Sequence, residues 1–283
     1  MTRWASWFVL LWLGLGGLTL QGQDYLEGFS SKLLRREVGL AIHAPSRPAL
    51  EAYRVSHPGA RLRMVLFLPG FFDGPKDLLH EGIFGDLSRR EAEGELAPSL
   101  WVAVTHFRSW YMDRQDGSFP YERFLLEELI PVMEQRFPEY GGAREARTVA
   151  GLSMGGLGAL NLSARSRLFE RCLALSPALV EPPFANVPWY IRRSLKRAMP
   201  AEDLPFRPWS PRHHKGGDGA LRLTAGTEDR YGIHLGVQAF AETARQPDRS
   251  VEVFLAPGGH NWKYWTFELH RQAAWVVAPA PAG

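Results

Sequence analysis

The sequence has little cysteine and no strong excess of either charge. Cys172 is the only cysteine among 283 residues, which excludes an internal disulfide or a site built from several cysteines. The chain has 33 Lys and Arg against 30 Asp and Glu. A balance this even argues against nucleic acid as a partner, and the mild basicity fits a solvated surface. We expect Cys172 to pack in the core rather than to react.

Apolar residues are abundant, as a large globular domain requires. Hydrophobic residues make up 45% of the chain and charged residues 22%, a composition that excludes a disordered or coiled-coil protein. A chain of this length can form a single large α/β domain. It can also bury enough surface to fold without a disulfide or a structural metal.

The first 22 residues differ from the remainder of the chain. A positive charge at Arg3 precedes an apolar run from Trp7 to Leu20, and polar residues begin at Gln21. This layout predicts a signal peptide over residues 1–22, and therefore a secreted or periplasmic protein. The main alternative is an uncleaved membrane anchor, because the run is only slightly shorter than a bilayer span. A buried core helix is the third interpretation. Residues 23–283 are predicted to form one domain.

Short apolar runs alternate with longer amphipathic segments along this domain. The pattern predicts strands at Glu37–His43, Arg63–Leu68, Leu100–Thr105, Arg147–Ala150, Arg171–Leu175, Ala220–Thr224 and Val251–Leu255. It predicts helices at Pro75–Arg90, Tyr121–Arg136, Met154–Ser166, Gly232–Ala244 and Trp262–Val276. The alternation is typical of an α/β fold with a mostly parallel central sheet and helices on both faces. In such sheets ligands bind beyond the carboxyl ends of the strands.

A proline-rich segment over residues 177–219 interrupts this alternation. It contains eight of the 21 prolines, and a loop this long inside a domain is usually functional or mobile. One interpretation is a surface insertion with a short helix around Trp189–Ala198. The other is a lid, or a wall of the substrate site. The basic cluster Arg192–Arg197 either favours an acidic substrate or solvates the helix.

The segment Gly151–Gly155 carries the first motif with chemical meaning. It reads Gly-Leu-Ser-Met-Gly, follows a predicted strand and leads into a predicted helix. This is the setting of a nucleophile elbow, in which flanking glycines let a serine adopt a strained backbone conformation. Ser153 is therefore the candidate nucleophile. The other interpretation is a glycine-rich packing turn with an incidental serine.

A serine nucleophile needs a base and an acid that orients the base. In this type of fold they follow in the order Ser, Asp or Glu, His. Asp229 lies just past a predicted strand end, with Glu228 as the rival acid. His260 lies in a glycine-rich loop before the last predicted helix, from which it can reach Ser153. The sequence predicts the triad Ser153, Asp229 and His260.

Acyl transfer also needs N–H donors for the oxyanion of the tetrahedral intermediate. The first candidate is the backbone N–H of Met154, which directly follows the nucleophile. The second is expected from the loop Leu68–Gly74 after an early strand. We choose the N–H of Phe71, with Phe72 next, because Gly70 allows the chain to bend there. The alternative is a plain turn between a strand and a helix.

Three stretches of the chain resemble the esterase D family of α/β-hydrolases. Gly151–Leu160 is similar to the family's elbow, Ser109–Asp113 with Tyr121–Pro131 resembles its central block, and Gly259–Trp265 resembles its terminal His-x-Trp-x-x-Trp block. The family includes S-formylglutathione hydrolases, feruloyl, acetylxylan and enterochelin esterases, and mycobacterial mycolyltransferases. The resemblance covers roughly residues 36–275.

The resemblance implies an α/β-hydrolase fold with the same triad and the same two oxyanion donors. It also implies that Tyr111 and Trp262 bind substrate near the acyl pocket. The sequence departs from the family in the early loop, which reads Leu-Pro-Gly-Phe-Phe where many members have a His-Gly or Asp-Gly pair. The segment over residues 177–219 carries no subgroup signature.

These observations predict an exported serine esterase that hydrolyses a small-molecule or carbohydrate ester through an acyl-enzyme. No metal or organic cofactor is expected, and the adjacent His213 and His214 have no carboxylate or cysteine cluster spaced to join them. Contact with a membrane is expected only if the N-terminal segment stays uncleaved. The alternatives are an acyltransferase of the mycolyltransferase type and a non-catalytic carbohydrate-binding relative.

Overall fold

A computed structural model of the chain describes residues 23–114, 116–179, 187–198, 219–245 and 249–280. The predicted signal peptide or anchor, residues 1–22, lies outside these ranges and stays a prediction. Within the described ranges, no helix is long and apolar enough to cross a membrane.

One sheet forms the centre of the domain. Its strands are β1 Gln23–Ser31, β2 Arg36–Ala44, β3 Met64–Leu68, β4 Leu100–Val104, β5 Arg147–Leu152, β6 Arg171–Leu175, β7 Ala220–Gly226 and β8 Val251–Ala256. Across the sheet they follow the order β1-β2-β4-β3-β5-β6-β7-β8. The strands β3 to β8 are mutually parallel, whereas β2 is antiparallel to both β1 and β4. The predicted mostly parallel sheet is confirmed.

Helices cover both faces of this sheet. They are α1 Arg47–Ser56, α2 Asp77–His80, α3 Ile83–Ala92, α4 Tyr121–Arg123, α5 Ile130–Arg136, α6 Met154–Ser166, α7 Trp189–Ala198, α8 Ile233–Ala244 and α9 Trp262–Val277. Alternate residues of β3 face opposite sides, so Met64 and Leu66 belong to the core under α5, α6 and α8, while Val65 and Phe67 belong to the core under α3 and α9. Burial on both faces explains why β3 and β4 are wholly apolar.

Most predicted elements are present, with ends that differ by one or two residues. The predicted helix Tyr121–Arg136 contains a π-helical turn, Phe124–Leu129, between α4 and α5. It lies just before Pro131, which has no N–H to continue an ordinary helical ladder. The single helix predicted over Pro75–Arg90 is wrong, because Gly82 adopts φ 74 and separates α2 from α3.

Two elements have no counterpart in the sequence prediction. Strand β1 lies at the edge of the sheet, where it pairs only with β2 and alternates weakly in hydrophobicity. Helix α1 has no buried residue. Strand β1 lacks the apolar alternation on which the prediction depended, whereas α1 contacts the core only through partly buried residues such as Leu50 and Tyr53.

The proline-rich segment is described only in part. The short helix predicted around Trp189–Ala198 is present as α7. The residues 180–186 and 199–218, with His213 and His214, lie outside the described ranges, so a lid stays a prediction. Cys172 is buried on β6, and burial raises the pKa of its thiol to about 12, as expected of a packing residue.

The strand order positions a crevice at the carboxyl edge of the sheet. After β3 the chain moves to β4 on one side, and after β5 it moves to β6 on the other. The neighbouring carboxyl ends of β3 and β5 are therefore a topological switch point, where ligands of α/β proteins bind. The loop after β3 and the turn after β5 both lie at this point.

Candidate active site

Ser153 lies in the sharp turn between β5 and α6, with φ 54 and ψ −115. A Cβ on Gly155 would overlap the carbonyl oxygen of Leu68, so only glycine allows α6 to pass this close to β3. The N–H of Ser153 donates to the carbonyl of Leu175 at 2.8 Å, and its own carbonyl accepts from Ala178 at 2.9 Å. The neighbouring backbone thus maintains a conformation that a serine seldom adopts.

His260 links Ser153 to Asp229. Its Nε2 lies 2.8 Å from the Ser153 Oγ, and its Nδ1 lies 2.7 Å from the Asp229 Oδ2. A carboxylate accepts a hydrogen bond from a protonated nitrogen. We therefore assign the single N–H of the neutral imidazole to Nδ1. Nε2 is then free to accept the serine hydroxyl. The structure brings together the three residues that the sequence predicted as a triad.

The structure also distinguishes Asp229 from Glu228. The Asp229 side chain is 0% exposed, and its second oxygen accepts the N–H of Tyr231 at 2.9 Å. Glu228 is exposed. A Cβ on Gly226 would overlap the carbonyl oxygen of Gly258, so close contact between these two loops brings the acid and the histidine together.

Two aromatic rings hold the imidazole of His260 in place. Tyr231 and Trp265 contact it edge-on, with ring centroids 5.2 and 5.0 Å away and interplanar angles of 89° and 83°. These rings exclude water from the Asp229–His260 hydrogen bond, which strengthens it.

Free backbone N–H groups lie at the ends of β3 and β5. The loop after β3 makes a tight turn in which the N–H of Asp73 donates to the carbonyl of Gly70 at 3.1 Å. Phe71 and Phe72 form the middle of this turn, and no described residue accepts from either N–H. The same holds for Met154, the first residue of α6. The predicted oxyanion donors therefore lie on two neighbouring loops.

Tyr111 lies beneath the loop after β3. The side chain is 0% exposed, and its hydroxyl donates to the carbonyl of Pro69 at 2.6 Å. Its ring packs on Gly158 of α6. In this position Tyr111 supports the loop from below and does not reach the surface of the crevice.

Trp262 supports the same loop from another side. Its Nε1 donates to the Asp73 Oδ1 at 2.9 Å, and the indole is half-buried. Burial raises the pKa of the Asp73 carboxyl, while the hydrogen bond from Trp262 and the proximity of His260 act against that rise. Asp73 was not predicted from the sequence, although a carboxylate three residues after Gly70 in this loop could have pointed to it.

The backbone conformation of the loop that follows β4 was not predicted from the sequence. Four of its residues other than glycine have positive φ, namely Phe107, Arg108, Trp110 and Tyr111. His106 connects this loop to the neighbouring one, since its Nε2–H donates to the carbonyl of Asp73 at 2.8 Å and its Nδ1 accepts the N–H of Arg108 at 2.8 Å. Burial lowers the pKa of His106, which favours this neutral form. Without glycines, the loop carries no local signal of its conformation.

Known proteins are similar to this chain in family pattern and in fold. The family model described as "Putative esterase" matches residues 31–276. A ferulic acid esterase is 21% identical, with a TM-score of 0.69 over 92% of this chain and 98% of that chain. The fluorophosphonate-binding serine hydrolase F of Staphylococcus aureus is 16% identical, with a TM-score of 0.73 over 90% and 98% of the two chains.

An S-formylglutathione hydrolase from Agrobacterium tumefaciens is 15% identical, with a TM-score of 0.70 over 94% of this chain and 98% of that chain. No curated protein sequence matches the chain. The structural likenesses confirm the predicted α/β-hydrolase fold.

Proposed function

The chain belongs to this esterase family, and we propose that it is a serine hydrolase in which Ser153, His260 and Asp229 catalyse the hydrolysis of a carboxylic ester. The observation that carries the proposal is the continuous hydrogen-bond chain from the Ser153 Oγ through His260 to Asp229, with distances of 2.8 and 2.7 Å. This is the arrangement in which a serine becomes a nucleophile.

In the first half of the reaction, the Ser153 Oγ attacks the ester carbonyl carbon while its proton moves to the Nε2 of His260. Asp229 stabilises the imidazolium that forms. The carbonyl oxygen becomes an oxyanion and accepts hydrogen bonds from the N–H groups of Met154 and Phe71. When the tetrahedral intermediate collapses, His260 returns the proton to the leaving alkoxide, and the alcohol departs from an acyl-enzyme.

In the second half, water attacks the acyl-enzyme carbonyl and His260 removes its proton. The same two N–H groups stabilise the second oxyanion. Collapse breaks the bond between the acyl carbon and the Ser153 Oγ, and the proton on His260 returns to that oxygen. The carboxylic acid leaves and the enzyme is regenerated.

Tyr111 and Trp262 contribute to the reaction through the loop between them. Tyr111 holds the carbonyl of Pro69, and Trp262 holds the carboxylate of Asp73. These hydrogen bonds fix the turn that contains the proposed oxyanion donor. Such donors stabilise the transition state only when their N–H groups are held in position before the reaction. Trp262 keeps an exposed part, so of the two it is the residue that can also touch substrate.

Replacement of the nucleophile tests the proposal. Ser153→Ala is expected to lower kcat/KM for a 4-nitrophenyl ester by roughly 10⁵- to 10⁶-fold and to abolish labelling by a fluorophosphonate probe. The matched control is Ser166→Ala at the end of the same helix, where the hydroxyl donates to the carbonyl of Leu162 and accepts the N–H of Leu168. Full labelling and turnover in the Ser153→Ala variant would overturn the assignment.

The acyl-enzyme has its own test. A slowly hydrolysed ester is expected to add the mass of one acyl group to the peptide that contains Ser153. Added acceptor alcohols distinguish hydrolysis from transfer, since a hydrolase forms the free acid and an acyltransferase forms a new ester. If the ester turns over without any acylated peptide, even after rapid quenching, the covalent route is wrong.

A further inference from the structure

A groove lies beside the loop that supplies the proposed oxyanion donor. Its walls are helix α7, the loop after β4 and the two phenylalanines Phe71 and Phe72, and its volume is about 600 Å³. Since Phe71 belongs both to this wall and to the proposed oxyanion hole, the groove adjoins the loop on which that hole is built.

The charged side chains that line the groove, among the residues described, are all arginines. Two come from the loop after β4, Arg108 and Arg114, and two from α7, Arg193 and Arg197. Among the described residues, no carboxylate lines the groove, and none of the four arginines forms a salt bridge with another described residue. Four cations facing one space create a positive potential that attracts an anion. Guanidinium groups bind carboxylate, sulfate and phosphate oxygens in pairs of hydrogen bonds.

The same groove presents aromatic surface. Phe72, Trp189 and Tyr190 are 67%, 66% and 40% exposed. Their rings form a connected row, with centroids 6.0 Å apart between Phe72 and Tyr190 and 5.9 Å apart between Tyr190 and Trp189. An exposed apolar patch with a polar rim is typical of a binding surface. Neighbouring rings are tilted by 65° and 82° to each other, so an aromatic body can pack on the face of one ring and against the edge of the next.

Hydrogen bonds fix the two walls to each other. The Trp110 Nε1 donates to the Ser194 Oγ of α7 at 3.2 Å, and that hydroxyl donates to the carbonyl of Arg108 at 3.4 Å. The Arg108 guanidinium lies 4.8 Å from the centre of the Phe71 ring. The backbone at Arg108 and Trp110 has positive φ, and strained residues cluster at sites that hold ligands.

We propose that this groove binds an anionic group of the ester substrate, a carboxylate, sulfate or phosphate carried on an aromatic body. The arginines bind the anionic group of the substrate, and the aromatic side chains of the groove contact its aromatic body. This inference rests on the proposed function, because it makes the groove an extension of the same active site. It assigns α7 to substrate recognition and gives the proline-rich segment a role in specificity.

Two pairs of esters test the proposal, since the anion can belong to either part of the substrate. One pair is 4-acetoxybenzoate against its methyl ester. The other is the mono-4-nitrophenyl ester of terephthalic acid against the corresponding methyl ester. In at least one pair the anionic member is expected to have the higher kcat/KM at low salt, by roughly tenfold, the equivalent of one charge-assisted hydrogen bond. The preference is expected to decrease as salt is added.

Two double variants of α7 separate the groove from the general charge of the helix. Arg193→Gln with Arg197→Gln removes two groove cations and is expected to abolish the tenfold anionic preference. Arg192→Gln with Lys196→Gln removes the same charge from positions that do not line the groove, and is expected to preserve it. Equal effects of the two variants, or the absence of an anionic preference in both ester pairs, would overturn the proposal. The neutral esters show whether each variant is folded.

A binding measurement separates this proposal from the proposed function. By calorimetry, 2-naphthoate is expected to bind the Ser153→Ala variant, and 2-naphthamide to bind much more weakly. Adding Arg193→Gln and Arg197→Gln is expected to remove naphthoate binding. If Ser153→Ala is inactive but does not bind naphthoate, the groove proposal fails and the catalytic one stands. If Ser153→Ala stays active and naphthoate binding still depends on the arginines, the catalytic proposal fails and the groove proposal stands.

Discussion

Two histidines of this protein have an aspartate on the same ring nitrogen and yet differ in chemistry. His260 has Asp229 at 2.7 Å from Nδ1 and the Ser153 hydroxyl at 2.8 Å from Nε2. His43 has Asp24 at 2.6 Å from Nδ1 and the carboxylate of Glu91 at 3.1 Å from Nε2. The difference therefore lies in the partner of Nε2.

That second partner determines whether the ring is a base or a fixed cation. Burial by itself would lower the pKa of His43, but its hydrogen bonds to the carboxylates of Asp24 and Glu91, together with their negative charges, raise that pKa to about 9. Both nitrogens of His43 then donate, and the ring stays an imidazolium at neutral pH. In His260 the Nε2 faces a neutral hydroxyl, so its lone pair can accept a proton. A histidine–aspartate pair is thus not by itself a sign of catalysis.

The location of each histidine matches its chemistry. His43 lies on β2 directly opposite Asp24 of β1, and Glu91 comes from α3, so the three residues join the sheet edge to a helix. Glu91 also accepts the N–H and hydroxyl of Ser99, both at 3.0 Å. His260 lies in a loop at the carboxyl edge of the sheet, where a substrate has access.

The largest effect is expected from the acid beside the proposed base. Asp229→Asn reverses the favoured tautomer of His260, so Nε2 would carry a proton and could not accept one from Ser153. We expect kcat/KM to fall by about 10⁴-fold with little change in fold. Glu228→Gln, next to it in sequence but exposed, serves as the control and is expected to keep full activity. Steady-state kinetics on a 4-nitrophenyl ester measures both, and equal losses would contradict the assignment.

The matching change at His43 is expected to affect stability and not catalysis. Glu91→Gln leaves a buried imidazolium with one carboxylate fewer, and breaking a buried ion pair costs about 3–5 kcal/mol. Asp24→Asn is expected to cost less, because the Asp24 side chain is 24% exposed, compared with 1% for Glu91. Urea unfolding gives both free energies, and kcat per folded enzyme is expected to stay unchanged. A loss of kcat in the folded Glu91→Gln variant would give His43 a role that its position does not explain.

The pH dependence of stability has the smallest expected effect. The pKa of His43 is raised from 6.5 to about 9 on folding, so its stabilising contribution is complete below pH 6.5 and disappears as pH rises through 9. The shift corresponds to a loss of up to about 3 kcal/mol from the free energy of unfolding. Urea titrations across this interval are expected to show the decrease in the wild type and a smaller one in Asp24→Asn. Identical slopes in the two proteins would show that another group is responsible.

Residues with a local signal were found from the sequence, and residues without one were not. Ser153 is part of a short glycine-rich motif, while Asp229 and His260 each follow an apolar run that ends in a turn. Asp73 and His106 were missed because their roles depend on Trp262 and on the carbonyl of Asp73, partners distant in sequence. The resemblance to a family placed Tyr111 near the acyl pocket, but only packing shows that its side chain lies beneath the loop.

The sequence by itself determined the parallel α/β sheet and the positions of the three proposed catalytic residues. Alternation of apolar runs and the conformational demands of a tight turn act over a few neighbouring residues, so they can be read directly from the chain. Tertiary structure alone decided that Asp229 and not Glu228 reaches His260 and that His43 joins the sheet edge to α3. It also decided that four arginines line one aromatic groove. These outcomes depend on burial and on charges brought together from separate loops, which no local pattern encodes.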